Sequence, residues 1–326
     1  MNTFFTVLKN NYLRTIPRIV PVMIYTGVTL LTILFSIYFT GTQQVRARII
    51  YIPADSSVSI PHSSSALQVT ASDTAPSSAD LMKRKYDAAI FAGSDGSYQI
   101  RTYLNEKSKN MILNLVKHPD ADLSSYEKQR GVGVNVLGFM MMFLLMSALS
   151  NLFAFSDDRE QGQLSRIILA PISFSWYMAA HMVYCITLLL PAYLLLVLLK
   201  LLGWNIGFSL LQFAGLILLL ALLGISMALL LHTLIIKPDN ANMLGNSITV
   251  LTCLLAGSFH SITSRYPVLN KATDLLPQKK LLDYAGYLEQ NTAAAHSSLL
   301  YYVILFSLFL FLISVILLRK QYLDKK

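Results

Sequence analysis

Six stretches of the sequence contain no Asp, Glu, Lys or Arg, and this feature limits the fold more than any other. Each stretch is longer than the roughly 20 residues that a helix needs to cross the core of a bilayer. Charged residues make up only 13% of the 326 residues, about half of their usual share in a soluble domain. The composition therefore excludes an ordinary soluble enzyme. The charge-free stretches are Ile19–Val45, Gly131–Ser156, Ile167–Leu199, Leu201–Ile236, Asn240–Ser264 and Gln290–Leu318.

The fold class predicted from these stretches is an all-α polytopic membrane protein with six transmembrane helices. A small α/β domain at 41–131 is expected between the first helix and the second. The first stretch is longer than the apolar region of a secretory signal and lacks a small-residue cleavage site, so we interpret it as a retained span. The predicted transmembrane helices are 18–40, 132–155, 174–202, 209–236, 241–263 and 297–318.

Basic residues in the short connections between these helices predict the orientation of the chain. Ten lie in one alternating set of connections and five in the other, and the more basic set normally faces the cytoplasm. Both termini, including the tail 319–326, are therefore expected in the cytoplasm, and the domain at 41–131 outside it. The net charge of +9 comes from these connections rather than from one basic face, which argues against nucleic-acid binding.

The long connection at 41–131 has the composition of a small folded domain. Nine serines between Asp55 and Asp80 indicate a mobile insertion with little core. Hydrophobic patterns around a glycine-containing turn predict a β-hairpin in the second half of the domain. The expected elements are the strands Val45–Ile52, Ala88–Ala92 and Ser97–Leu104, a turn at Gly93–Gly96 and a helix at Asn105–Lys117.

Residues 1–17 predict a short amphipathic helix in the cytoplasmic membrane interface, because apolar side chains recur there at helical spacing. Asn10, Asn11 and Arg14 fall elsewhere on the helical wheel. Such a helix either anchors the N-terminus or offers a surface on which a cytoplasmic partner acts. The apolar face consists of Phe4, Phe5, Leu8, Tyr12 and Ile16.

The cytoplasmic connection at 156–173 predicts a second short helix with one apolar face. Its apolar residues, Leu164, Ile167, Ile168 and Pro171, are spaced at i, i+3, i+4 and i+7, as on one side of a helix. Gly162 and Pro171 bracket the helix. Two interpretations stay open from the spacing: a helix that docks into a groove on a soluble partner, or a solvated turn that re-enters the membrane.

This connection resembles the segment between the second and third spans of ABC-2-type transporter permeases. That segment is of the type Glu-Arg-Glu-x-Gly-Thr-Leu-x-Arg-Leu followed by Pro-Val-Ser, and here Asp158 and Gln163 replace its usual Glu and Thr. In the family the segment is the coupling helix that contacts the ATPase. The resemblance implies this role for Asp158, Arg159, Glu160, Gly162, Leu164, Ile167, Ile168 and Pro171.

Two further matches extend the resemblance over nearly the whole chain. Residues 79–90 look like the family's helix, Lys-Tyr-Asp sequence and strand between its first two spans. Ala256–Phe259 followed by Leu276–Pro277 is similar to the broken region between spans five and six, here expected at 257–296. The resemblance implies a membrane-spanning subunit of a bacterial ABC exporter in the cytoplasmic membrane, which forms a homodimer or a heterodimer with a second permease.

The energy source is expected to lie in another chain. The charge-free stretches contain no carboxylate or base for a proton relay, and no phosphate-binding loop of the Gly-x-x-x-x-Gly-Lys-Ser/Thr type occurs. The chain is therefore expected to be neither an enzyme nor the holder of a cofactor, with ATP and Mg bound by cytoplasmic ATPase subunits. Candidate pathway residues, for which interhelical bonding or lipid contact is the simpler explanation, are Asn135, Met142, Met146, Asn246 and Thr249.

Three functions remain in competition. The leading hypothesis is the permease of an exporter for a hydrophobic or amphipathic molecule, such as a drug, a peptide antibiotic or a lipid-like product. A sodium-extruding permease is an alternative within the same family. A membrane sensor with a ligand-binding ectodomain belongs to another class and predicts a cytoplasmic effector or docking tail.

Overall fold

Helices dominate the computed structural model, which describes twelve ranges of the chain. Its first helix, α1 (Thr3–Thr15), continues through a 3-10 turn at Ile16–Arg18 into α2 (Ile19–Thr42). The other helices are α3 (Val132–Asn151), α4 (Phe153–Glu160), α5 (Gln163–Leu169), α6 (Phe174–Leu201), α7 (Leu210–Leu234), α8 (Pro238–Leu255), α9 (Pro267–Asp274), α10 (Pro277–Glu289) and α11 (Ser298–Leu323). The described ranges are 3–42, 47–52, 67–72, 76–77, 81, 86–92, 98–103, 109–110, 112–113, 130–169, 174–259 and 267–323.

Five helical segments of the described chain are long and apolar enough to cross a bilayer. The first of them unites α1 and α2, which the sequence divides into a surface helix and a span. The other four contain α3, α6, α7 and α11, and together with α2 they agree with five of the six predicted spans. The segments are Phe4–Thr40, Val132–Glu160, Phe174–Leu201, Leu210–Leu234 and Ala293–Gln321.

The span predicted at 241–263 is not among these five segments. Helix α8 covers part of it but has only 18 residues, or about 27 Å of helix, against about 30 Å of hydrocarbon core. It also carries polar Asn242 and Asn246. The helix stops before Gly257, whose φ of +79° places it in the left-handed region that glycine adopts easily.

The contact pattern divides the chain into two compact units, Met1–Thr40 with Arg130–Lys326, and Gly41–Gln129. Within the first unit, α3 contacts α6, α7, α8 and α10. Glycines allow close approach there: a Cβ at Gly138 of α3 would lie 2.2 Å from the carbonyl oxygen of Ser258. Helix α11 packs against α7 and α10, and α1 packs against α6.

Hydrogen bonds at the two ends of α2 define the two ends of this unit. Arg18, just before α2, donates to Asp157 of α4 at 3.2 Å, whereas Asn135 near the start of α3 donates to Thr40 at 3.0 Å. Helices α2 and α3 therefore run in opposite directions. We call the end that carries α1, α4 and α5 the α1 end, and the end where α10 meets the start of α3 the α10 end.

The second unit contains a four-stranded sheet of β1 (Ala47–Ile52), β2 (Leu67–Ala71), β3 (Ala88–Ala92) and β4 (Tyr98–Arg101), in the order β2-β1-β3-β4. Strand β1 is parallel to β2 and β3, and β3 is antiparallel to β4. Adjacent residues on β1 and β3 are buried, including Ile49 with Ile50 and Ala89 with Ile90. Both faces of the sheet are therefore covered, as in buried parallel sheets.

The sequence correctly predicts β3 and its antiparallel pairing with β4, whereas the turn at Gly93–Gly96 lies outside the described residues. The prediction of a mobile insertion with little core at 55–80 does not anticipate β2, which pairs with β1 over five residues. Leu67, Val69 and Ala71 alternate with polar residues there, a strand pattern that the surrounding serines obscure. Of the helix predicted at 105–117, residues 109–110 and 112–113 are described and helical.

Candidate functional site

Four charged side chains meet at the α1 end, where α1 and α2 face α4. Arg14 contacts Asp158 at 2.7 Å and Asp157 at 3.8 Å, while Arg18 contacts Asp157 at 3.2 Å. The guanidinium of Arg18 also lies 4.9 Å from the ring centre of Phe153. The two positive and two negative charges balance each other, which reduces the cost of placing them between helices.

Asp158 is the most enclosed member of this cluster, because its residue is only 5% exposed. Its second carboxylate oxygen accepts a hydrogen bond from the Tyr177 hydroxyl of α6 at 2.7 Å. One carboxylate thus joins α1, α4 and α6. Its side chain faces inward, so any contact that it makes with a partner protein would be indirect.

Polar side chains also line the contact between α1 and α6. The Asn11 amide lies 3.1 Å from Nδ1 of His181, and the Thr15 hydroxyl lies 2.6 Å from the hydroxyl of Tyr184. These contacts advance along both helices in the same direction, so α1 packs lengthwise against the first turns of α6. Asn11 and Thr15 are both buried.

The apolar face of α1 points largely away from the bundle. Phe5 is 64% exposed and Ile16 is 67% exposed, and Tyr12 is exposed as well, although its hydroxyl reaches Thr187. Phe4 and Leu8 are half-buried, with Phe4 in edge-to-face contact with Trp176. This arrangement places polar side chains inward and leaves most of the apolar face available for lipid.

Arg159 is buried in the opposite direction, towards α7 and α11. Its guanidinium donates to the backbone oxygens of His232 and Ile235, the latter at 2.9 Å, and to Oε1 of Gln321 at 3.0 Å. A cation at the C-terminal end of α7 is favoured by the helix dipole and satisfies carbonyl groups that lack helical partners. Arg159 therefore joins α4 to α7 and α11.

The turn between α4 and α5 is the exposed part of this region. Glu160, Gln161, Gly162 and Gln163 are all exposed, and Gly162 has a φ of +69°. The turn ends where Leu164 becomes fully buried in the core. This short solvent-facing turn is thus held by Asp158 and Arg159 on one side and by Leu164 on the other.

The remaining residues predicted for coupling are placed differently. Ile167 is half-buried and packs against the core. Ile168 lies in α5, but its side chain and the whole of Pro171 are outside the described residues. Of the apolar face predicted for this helix, at least Leu164 therefore packs inside the bundle.

A polar groove lies beside the exposed turn, between α1 and α4. Its volume is about 370 Å³, and it is bordered by charged and amide side chains. The groove connects the charged cluster to the exposed turn. The residues that line it are Asn10, Arg14, Pro17, Arg18, Phe153, Asp157, Gln161 and Gln163.

The candidate pathway residues lie along α3 and α8. Asn135 bonds Thr40 at the α10 end, while Met142 and Met146 are half-buried further along α3. On α8, the Asn246 amide donates to the Tyr25 hydroxyl at 3.0 Å. The Oδ1 atom of Asn246 and the buried hydroxyl of Thr249 have no hydrogen-bond partner within the described structure.

Sequence reasoning missed the charged and polar residues of α1 that hold this site together. Asn11, Thr15 and Arg18 recur at i, i+4 and i+7, which is a helical stripe of its own. The sequence shows that Asn11 and Arg14 lie off the apolar face of the helix, but it does not indicate their partners. In the described residues, no group of three His, Cys, Asp or Glu side chains could hold a metal ion.

A family model described as ABC-2 family transporter protein matches residues 42–318, which is most of the chain. No curated protein and no solved structure shows significant similarity to the chain.

Proposed function

The chain belongs to the ABC-2 transporter family and is a non-catalytic, membrane-spanning permease component of an ABC transporter; from this premise we propose that it exports a hydrophobic or amphipathic molecule across a bacterial cytoplasmic membrane. Separate ATPase subunits supply the energy, and a second permease, identical or related, completes the membrane domain. ATP and Mg belong to those ATPase subunits. The sequence contains no phosphate-binding loop of its own.

The α1 end is the side on which the ATPase binds in this proposal. The more basic set of connections includes the residues around this end, which supports a cytoplasmic location for α1, α4, α5 and both termini. In this proposal the connection that contains the unit Gly41–Gln129 is extracytoplasmic, because it follows a first span whose N-terminal end is cytoplasmic.

The exposed turn Glu160–Gln163 carries the proposal. It offers polar groups to a partner, while the residues that flank it are buried and bonded to four different helices: Asp158 to α1 and α6, and Arg159 to α7 and α11. A displacement of the turn by a bound ATPase would therefore reach all four helices. Such a connection allows a partner bound at the turn to bias the arrangement of several helices at once.

Two features support the substrate class. The six charge-free stretches provide no fixed charge for a bare ion, and Met142 and Met146 offer the adaptable apolar surface that varied ligands use. Asn246 and Thr249 add buried oxygen atoms that have no hydrogen-bond partner among the described residues, which suits the polar part of an amphipathic molecule. The pathway in this proposal runs between α3 and α8.

A charge reversal in the exposed turn tests the ATPase contact. The native chain and Glu160→Lys are purified from the native host with the ATPase that accompanies them and are reconstituted in liposomes. We expect Glu160→Lys to weaken ATPase binding by about tenfold, which is the effect of losing one well-placed polar contact. The matched control is Asp274→Lys, an exposed acidic residue of α9, for which we expect unchanged binding.

The same liposomes test the substrate. Amphipathic compounds that stimulate ATP hydrolysis by the native complex, but not by the Glu160→Lys complex, support export of this class. Stimulation by sodium ions alone would favour the sodium-extruding alternative. Absence of any accompanying ATPase, or equal loss of binding in both variants, would contradict the proposal.

A further inference from the structure

Glu289 occupies an unusual place for an acidic residue, because it is the last residue of α10. A negative charge at the C-terminal end of its own helix is disfavoured by the helix dipole. Its carboxylate instead lies at the N-terminal end of α3, where Oε1 accepts hydrogen bonds from the backbone N–H groups of Gly133 at 2.7 Å and Val134 at 3.3 Å. These N–H groups have no partner within their own helix. The position of Glu289 is thus explained by α3 and not by α10.

Two glycines leave the space that this contact requires. A Cβ at Gly131 would lie 2.2 Å from the Glu289 carboxylate, and a Cβ at Gly133 would lie 2.8 Å from the ring of Phe208. The start of α3 is therefore enclosed by α10 on one side and by the α6–α7 turn on the other. Any side chain at Gly131 would displace the carboxylate.

A second contact crosses the same end of the bundle. Arg130, just before α3, donates to the backbone oxygen of Ser258 at 3.2 Å, at the C-terminal end of α8. At its other end, α10 is held on α8 by the bond from the Gln278 amide to the Thr252 hydroxyl, at 3.1 Å. Helix α10 thus runs from α8 to the start of α3 and is fastened at both ends.

From this geometry we propose that Glu289 is a positioning residue that latches α10 onto the first turn of α3 and thereby keeps the α10 end closed over the end of α8. The inference rests on the proposed export function, in which the α10 end is where substrate leaves. Release of the carboxylate removes one contact that holds this end of α10, while the bond at Gln278 and the packing of α10 on α11 remain, so that the helix swings rather than detaches.

The chemistry of the contact suits a latch that opens repeatedly. Burial raises the pKa of Glu289 and outweighs the backbone N–H bonds, which lower it. The carboxylate is therefore less well solvated in the closed arrangement than in water, and it regains hydration when it leaves. Release exposes one carboxylate and two backbone N–H groups to water, and no buried charge is left behind.

Two buried cysteines report on the opening in the full chain. Cys253 follows Thr252 at the end of α8 that α10 covers, whereas Cys185 lies on α6. The protein is placed in lipid nanodiscs without ATPase or substrate. A membrane-impermeant maleimide then measures the labelling rate of each cysteine, and hydrogen exchange with mass spectrometry measures the protection of residues 132–138.

Three variants separate the latch from general loosening. Glu289→Ala removes the acceptor, Gly131→Ala displaces it while Glu289 is retained, and Glu289→Gln keeps an oxygen that accepts the same bonds. We expect the first two to increase the exchange of residues 132–138 and the labelling of Cys253 by about tenfold, and Glu289→Gln to restore values near those of the native chain. Gly286→Ala is the glycine control, since a Cβ there meets nothing within 4 Å.

The proposal is overturned if Glu289→Ala and Gly131→Ala change neither rate. It is also overturned if exchange rises without faster labelling of Cys253, or if Cys185 accelerates equally, because the bond would then serve the helix terminus or overall stability alone. None of these measurements needs transport. If the export function is wrong, ATP hydrolysis and compound stimulation fail in liposomes, while the labelling result is unaffected.

Discussion

The two ends of the helical unit are held together by different means. At the α1 end, side chains of opposite charge pair across three helices, as Arg14 does with Asp158 and Arg18 with Asp157. At the α10 end, one carboxylate and one guanidinium bind backbone groups at helix termini, and glycines allow the backbones to touch. Separation of the helices at the α1 end would leave charged side chains unpaired between helices. Separation at the α10 end would instead expose groups that water can solvate. The α1 end is thus suited to move as one body and the α10 end to open.

Replacement of Arg159 by Ala should test how rigid the α1 end is. The change removes a buried cation and leaves the carbonyl groups of His232 and Ile235 without their donor. We expect the free energy of unfolding to fall by about 3 kcal/mol, since each unsatisfied buried group costs roughly 1–3 kcal/mol. The measurement is thermal or denaturant unfolding of the purified protein in detergent.

Arg166→Ala is the matched control, because Arg166 belongs to the neighbouring helix α5 and is exposed. Its removal should change the stability by less than about 0.5 kcal/mol. Similar losses in both variants would show that Arg159 is no more important than a surface charge. The α1 end would then lack the connection to α7 and α11 on which the comparison depends.

Replacement of Gly138 by Ala should test the close backbone contact of the α10 end. The added Cβ would lie 2.2 Å from the carbonyl oxygen of Ser258, and a backbone atom cannot move aside as a flexible side chain does. We expect a loss of about 2 kcal/mol from overpacking, measured by the same unfolding assay. Gly215→Ala in α7, where a Cβ meets nothing within 4 Å, should leave stability unchanged or raise it by up to about 1 kcal/mol. Equal effects at both glycines would contradict the role of backbone contact.

Double-mutant cycles should rank the two ion pairs of the α1 end. Arg14 and Asp158 have side chains 23% and 7% exposed, whereas Arg18 is 45% exposed. We expect a coupling energy of about 1–2 kcal/mol for Arg14 with Asp158 and below about 1 kcal/mol for Arg18 with Asp157, because water screens the exposed pair. Each cycle uses the two Ala variants and their combination. A larger coupling for the pair with Arg18 would reverse this order.

The contrast between the two ends also explains what the sequence can predict. The charge-free stretches locate five of the described spans, because in a bilayer the backbone polar groups of a spanning segment must be bonded within the helix itself. The turn around Gly162 is likewise predictable, since glycine and dense charges end a helix. Strand Ala88–Ala92 can be recognised in the sequence as a continuous apolar run, which is typical of a parallel strand covered on both faces.

The partners of individual polar residues could not be predicted. Asp158 and Arg159 are adjacent in the sequence but bind opposite sides of the bundle, and only the packing of four helices decides which way each points. Glu289 is separated from Gly133 by 156 positions, so no local pattern connects them. The sequence also does not show where α8 ends: the charge-free stretch predicts a span at 241–263, whereas α8 stops at Leu255.

A pH series on Glu289 gives the smallest effect and addresses the α10 end alone. Burial raises the pKa of Glu289 above its ordinary value of 4.5, so the folded chain binds this proton more readily than the unfolded chain. The contribution to stability is therefore complete below about pH 4.5 and is lost as the pH rises through the higher folded pKa. Glu289→Gln does not titrate, and the stability of the native chain should fall relative to this variant over that window. We expect a difference below about 1 kcal/mol, since the carboxylate is partly in contact with water. If the native chain instead gains stability relative to Glu289→Gln as the pH rises, the N–H bonds of α3 outweigh the desolvation of the carboxylate, and the α10 end is clamped as firmly as the α1 end.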